Sequence, residues 1–274
     1  RPSAFLAGAS ATAILGSGTA TTLIVAGIAA SGAIGTSLGL AVLLGADVGS
    51  AVVSALFASG SSFAVWASPI LIFAGYVTFS VSREFRPHSI GRIMIGLGLM
   101  LMSLALISEA TKPLVEATLF HAVLTAIGRE PFLAFLVGAI LAWGFHSTLA
   151  VILLIASFVA NGSLELGGAL AFILGLNLGG GLPAISSTLT LPPAGRRLPV
   201  ANLMCRGIAA FIGLAFVQRI TGWAALVPFD AVTVALAFHA AFNLAIGIFF
   251  LPLTKLAEKQ VTKLVPDEKL DADQ

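Results

Sequence analysis

Charge is scarce in this sequence. Its 274 residues include 14 Lys+Arg and 12 Asp+Glu, so 9% are charged where a soluble domain carries about 25%. Hydrophobic residues make up 58%, and together these proportions exclude an ordinary soluble fold and point to a chain whose surroundings are the lipid bilayer. The net charge of only +2 leaves no broadly basic surface, so no nucleic-acid partner is expected. The single cysteine, Cys205, excludes an internal disulfide and any Cys-based zinc or iron–sulfur site. Ser–His–Asp, HExxH and GxxxxGK(S/T) arrangements are all missing, so the chain is not expected to be an enzyme. The start, Arg1-Pro2-Ser3, has neither Met nor a signal-peptide pattern, and further sequence is expected upstream.

What the sequence has in quantity is apolar length broken by glycine. A spanning helix needs about 20 apolar residues. The candidate stretches are Ala4 to Ala30, Ile34 to Ala58, Trp66 to Val81, Ile93 to Ile107, Phe132 to Ala160, Leu164 to Leu191, Val200 to Val217 and Val227 to Leu253. Two of these are interrupted by small hydroxyl-bearing tips, Gly16-Ser17-Gly18-Thr19-Ala20-Thr21-Thr22 and Gly144-Phe145-His146-Ser147-Thr148. Each reads as a re-entrant hairpin that enters and leaves on one side. The 29 Gly and 12 Pro suggest helices that break inside the membrane, where the freed backbone groups line a cavity. The stretch from Thr111 to Glu130 is too polar to span and is expected at an interface or in a loop. The charged tail after Leu253 reads as a solvated end without visible function.

An internal repeat links the two halves. Ser17 and Ser147 are 130 residues apart, as are Gly45 and Gly175. Leu44-Gly45-Ala46-Asp47-Val48-Gly49 is echoed by Leu174-Gly175-Leu176-Asn177-Leu178-Gly179. With both hairpins returning to their own side, three spans separate them and the second half is inverted. Arg1, Arg83, Arg86, Arg92, Arg196, Arg197, Lys255, Lys259, Lys263 and Lys269 then share one side, and Lys112, Arg129 and Arg219 the other. That bias of ten to three marks the first side as cytoplasmic. The expected fold is an all-α polytopic membrane protein of two inverted repeats, each with a re-entrant helical hairpin and a broken transmembrane helix. Residues 1–256 form the transport domain, with repeat 1 at about 4–108 and repeat 2 at about 131–253, and 257–274 are a cytoplasmic polar tail.

Inverted repeats with broken helices place a substrate near mid-membrane, between half-helix N-termini and unwound carbonyls. At the first tip Gly16 and Gly18 allow close backbone approach, and Ser17, Thr19, Thr21 and Thr22 offer hydroxyls to an oxyanion or to sodium. The plainer alternative is that these hydroxyls bond helix carbonyls. Asp47 is the lone acidic residue in the first 80, and an ionised carboxylate in hydrocarbon costs about 2.5–3.5 kcal/mol on insertion scales. Flanked by Gly45 and Gly49 it reads as a cation or proton site at a helix break, with a cation favoured over pairing with Arg206 or protonation. Asn177 can do the same work uncharged. Arg206 suits bidentate phosphate, or a structural pair with Asp47. His146, at a tip, is a ligand candidate; Asn202, His239 and Asn243 are weaker ones, more often packing residues.

These motifs together resemble the type II sodium/phosphate cotransporter family, whose halves carry Gln-Ser-Ser-Ser-like tips and Gly-Ala-Asn-x-Gly-like breaks. The carriers here are Gly16 to Thr22, Gly45 to Gly49, His146-Ser147-Thr148, Gly175 to Gly181 with Gly179 and Gly180, and His239-Ala240-Ala241-Phe242-Asn243-Leu244. The similarity runs to about Leu256. It implies sodium-coupled symport of inorganic phosphate across a bacterial inner membrane, with sodium at Ser17, Thr19, Asp47, Ser147, Thr148 and Asn177. It also implies one helix before Arg1. The chain departs from the pattern at Gly16, Gly18, Asp47, His146 and Leu149, which puts the coupling ion in question. An exporter or carrier of another small anion, a passive channel and a structural subunit are the alternatives, and a homodimer stays open.

The topology has a direct check. In a background lacking Cys205, single cysteines at Arg196 and Lys259 are expected to react with an impermeant thiol reagent from the cytoplasmic side and a cysteine at Arg129 from the other. Labelling of Arg196 and Lys259 from opposite sides would contradict the re-entrant arrangement.

Overall fold

The computed structural model describes residues 1–59, 61–81 and 85–267. Arg83, Lys269 and the side chain of Lys112, all used in the charge count, lie outside the described residues. Every regular element described is a helix: α1 (Pro2–Leu15), α2 (Gly18–Ala30), α3 (Thr36–Ser59), α4 (Ser61–Val81), α5 (Phe85–Glu116), α6 (Thr118–Arg129), α7 (Pro131–Phe145), α8 (Thr148–Ala160), α9 (Leu166–Gly179), α10 (Leu182–Ser187), α11 (Pro193–Ala215), α12 (Val217–Ala224), α13 (Ala231–Phe250) and α14 (Thr254–Leu264). Among the described residues, Thr36–Phe57, Leu166–Ser187, Pro193–Ala215 and Ala231–Phe250 are long and apolar enough to cross a bilayer. The protein is thus an all-α polytopic membrane protein.

Both hydroxyl-rich tips turn the chain within two residues. The residue before the serine of each tip takes a left-handed conformation, Gly16 at φ 66° and His146 at φ 54°. The next is extended, Ser17 at φ −146° and Ser147 at φ −144°, and caps the following helix by accepting a hydrogen bond from the backbone N–H of Ala20 or Ala150, each at 3.2 Å. Glycine adopts the first conformation freely, and histidine is among the residues that tolerate it. The arms have 14, 13, 15 and 13 residues. At 1.5 Å per residue that is roughly 20 Å each, short of the ~30 Å hydrocarbon core.

The repeat is also written in the packing. A Cβ at Gly45 would run into the carbonyl of Phe5, and one at Gly175 into the carbonyl of Phe135. Gly49 and Gly179 stand in the same way against Ala9 and Ala139. Each partner is again 130 residues from its counterpart, so α1 lies on α3 as α7 lies on α9, backbone to backbone. Small residues allow this approach, and in lipid such close packing supplies association energy that the hydrophobic effect does not.

This corrects one expectation. The first helix is not broken at Gly45 to Gly49: α3 runs unbroken through Asp47. The glycines there make room for α1 and leave the helical hydrogen bonds intact. In the second half the helix does break, but after Gly179, at Gly180-Gly181, before Pro183 opens the short α10. The tail also differs from a solvated end. α14 is amphipathic and docks on α3 and α11, with Val261 fully buried and the Glu258 carboxylate accepting from the Ser37 N–H at 3.3 Å. Beyond it, Arg197 donates to the Val265 carbonyl at 2.8 Å and pairs with Asp267 at 2.7 Å. The polar stretch before the second hairpin forms the end of α5 and α6, and α6 meets α7 at 114°.

Two cores result. One joins α7, α8 and α9 around Phe135, Ile152 and Phe172, and the other joins α2, α3 and α11 around Leu40, Leu44 and Leu198. α11 and α13 touch elements of both halves and bind them together. Gly175→Val is expected to lower stability by about 1–3 kcal/mol, seen as loss of monodisperse protein on size exclusion, because α7 leaves no room for the side chain. Gly27→Ala, whose added methyl meets no atom within 4 Å beyond its own stretch of helix, is expected to leave stability unchanged or raise it by up to about 1 kcal/mol, since alanine favours the helix.

Candidate functional site

A small pocket of about 30 Å³ lies where the hairpin tips meet α3, α11 and α13. Gly18, Thr19 and Thr22 line it from the first tip, Thr148 from the second, Asp47 and Ser50 from α3, and Gly180 and Gly181 from the break after α9. α11 adds Pro199, Asn202 and Arg206, and α13 adds His239 and Asn243. By the ~10–15 Å³ that one water centre needs, the space suits only a small ligand.

The electrostatic centre is a buried ion pair. Arg206 Nη1 lies 3.2 Å from Asp47 Oδ1, and Asn202 Nδ2 donates to Asp47 Oδ2 at 2.9 Å. Asp47, Asn202 and Arg206 are respectively 9%, 5% and 6% exposed, so a carboxylate and a guanidinium are held almost entirely out of water. Asn202 and Arg206 are four apart on α11, hence on one face, and together they grip both oxygens of one carboxylate. Both Asp47 oxygens thus have protein partners, and the pairing with Arg206 is one of the alternatives read from sequence. Arg206 Nε and Asn202 Oδ1 are buried without a hydrogen-bond partner among the described residues. Asn243 donates to the His239 carbonyl at 2.9 Å.

Two further positive features point inward. Gly18 and Thr19 open α2, and Thr148 opens α8, so the N-terminal ends of two 13-residue helices reach the pocket. The first amides of a helix have no intrahelical acceptor and carry the positive end of its dipole. Dipoles, free amides and a guanidinium around so small a space favour an anion.

Several expected site residues sit elsewhere. Ser17 and Ser147 cap their helices and do not line the pocket. Thr21 accepts from Thr12 at 2.8 Å and bonds the Ser17 carbonyl. Gly16 and exposed His146 shape the two turns, with His146 Nδ1 3.1 Å from the Gly144 carbonyl. Asn177 is fully buried, donating to the Ile173 carbonyl at 2.9 Å, and Gly179 packs on Ala139. Conversely, nothing in the sequence singles out Ser50 and Pro199, and Asn202, His239 and Asn243 are only weak candidates there, yet all line the pocket. The spacing of Asn202 to Arg206 on one helix face was the available signal.

Comparison with known proteins gives the family. The Na+/Pi-cotransporter family model matches residues 1–109 and 110–261, and the chain belongs to that family. It is 31% identical over 268 residues to proteins of Salmonella typhimurium and Escherichia coli K12 named "Putative inorganic phosphate export protein YjbB", covering 98% of this chain and 49% of each relative. It therefore spans about half the length of those relatives. It is 26% identical over 263 residues to the uncharacterized protein YqeW of Bacillus subtilis, covering 96% of this chain and 84% of that one. No solved structure matches.

The ion pair has a stability signature. Arg206→Met leaves the Asp47 carboxylate buried and unpaired, an expected loss of about 3–5 kcal/mol. The double variant Asp47→Asn with Arg206→Met removes both charges and is expected to regain most of that loss, measured as thermal stability in detergent.

Proposed function

We propose that this membrane region carries inorganic phosphate across the bilayer in symport with sodium, exposing the pocket alternately to the two sides. The observation that carries the reading is the convergence of two helix N-termini and Arg206 on one small pocket, a donor set suited to a compact oxyanion. The repeated tips and glycine contacts support a pseudo-two-fold relation, and in this reading the two halves sit inverted across the membrane. The membrane is the bacterial inner membrane, with α14 on its cytoplasmic face.

Charge balance and the family's name support sodium as the coupled ion. Phosphate at neutral pH is an anion, and beside Asp47 in a low-dielectric site it would be repelled. Arg206 balances one negative charge, and a cation balances the next. Thr19, Thr22 and Thr148 hydroxyls with the Asp47 carboxylate supply hard oxygen donors near the phosphate. Ser17, Ser147 and Asn177 enter as sodium ligands only if the tips rearrange during transport. A second reading, export, is favoured by the names of the relatives from Salmonella typhimurium and Escherichia coli. The pocket chemistry is the same in both, and net direction follows the gradients.

Proteoliposomes test both together. An imposed sodium gradient is expected to drive phosphate against its own gradient, in the direction sodium flows. Phosphate flux unaffected by sodium would overturn symport, and flux no greater than in protein-free liposomes would overturn phosphate transport.

A further inference from the structure

We infer that Asn202 selects for protonated oxyanions by accepting a hydrogen bond from the hydroxyl of phosphate, so that sulfate is refused. The inference rests on the phosphate reading above and adds a specificity to it.

The orientation of the Asn202 amide follows from its partner. A carboxylate accepts and does not donate, so the group 2.9 Å from Asp47 Oδ2 is the N–H, and Oδ1 is turned away from Asp47. That oxygen is buried without a partner, as is Arg206 Nε one helical turn away on the same face of α11. One unmet acceptor and one unmet donor thus sit on neighbouring side chains that both line the pocket. Neither is met among the described residues, and leaving either unmet beside a bound ligand carries a desolvation penalty.

A ligand that satisfies both must bring an oxygen for Arg206 and a hydroxyl proton for Asn202. Inorganic phosphate at neutral pH carries one or two hydroxyls beside its charged oxygens. Sulfate has the same size and shape but is fully deprotonated, so it meets the guanidinium and leaves the amide oxygen without a donor, facing a second negative charge. A site built to bond a hydroxyl rejects analogues that lack it more strongly than any apolar pocket rejects a shape. The Asp47 carboxylate deepens the contrast. With both its oxygens engaged, it holds Asn202 in place, and its charge disfavours any extra anionic oxygen brought near.

The test is competition against radiolabelled phosphate binding to the full-length protein in sodium. Arsenate, which keeps a hydroxyl, is expected to compete at concentrations close to those of phosphate. Sulfate and monofluorophosphate, both without a hydroxyl at neutral pH, are expected to need about tenfold to a hundredfold more. Asn202→Leu is expected to weaken phosphate while leaving sulfate nearly unchanged, closing most of the gap, and Asn202→Ser, which keeps an accepting oxygen, to retain part of it. Wild-type protein that takes sulfate or fluorophosphate as readily as phosphate would overturn the inference, without needing any variant to fold. So would an Asn202→Leu protein that keeps the whole gap. A wild-type protein that binds no phosphate at all would overturn the phosphate reading itself, and the selector with it.

Discussion

A carboxylate and a guanidinium cannot rest apart in a medium as apolar as this interior, and that constraint ties the two halves of the molecule. Asp47 belongs to α3, in the first half, and Arg206 to α11, which follows the second hairpin. Their pairing, with Asn202 on the second carboxylate oxygen, fixes α11 against α3 at the level where both tips arrive. Replacing such a pair by apolar groups is often neutral or stabilising, so stability alone is a weak reason for its presence. A pair that lines a pocket, with one guanidinium nitrogen unmet, is better suited to function.

Glycine makes this arrangement possible. The contacts of Gly45 and Gly49 on α1, and of Gly175 and Gly179 on α7, bring each hairpin arm within backbone distance of the helix behind it. That proximity holds the tips in position and presents the starts of α2 and α8 to the pocket. The serines at the tips then act one step removed from it, capping the helices whose free amides form its positive wall.

Much of this was legible from the chain. Two hydroxyl-rich interruptions and a spacing of 130 point to the two turns and to the repeated packing, because each depends on local composition or on simple periodicity. The reading faltered where one residue type serves two ends. Glycine around Asp47 reads as a break, and it is a packing surface; at Gly180-Gly181, with a proline two residues on, the helix does stop. Likewise Asp47 reads locally as a cation site, and the structure brings Arg206, 159 residues away in sequence, within reach of it. No local pattern announces such a distant partner, although pairing with Arg206 was among the stated alternatives. Asn202 was undervalued for the same reason: its worth comes from the carboxylate that orients it.

The most direct test is a structure of the full-length protein determined in phosphate and sodium. Tetrahedral density is expected in the pocket between the starts of α2 and α8, within hydrogen-bonding distance of Arg206. Phosphate density that avoids Arg206, or a pocket that stays closed while phosphate binds elsewhere between the helices, would contradict the assignment of this pocket as the substrate site.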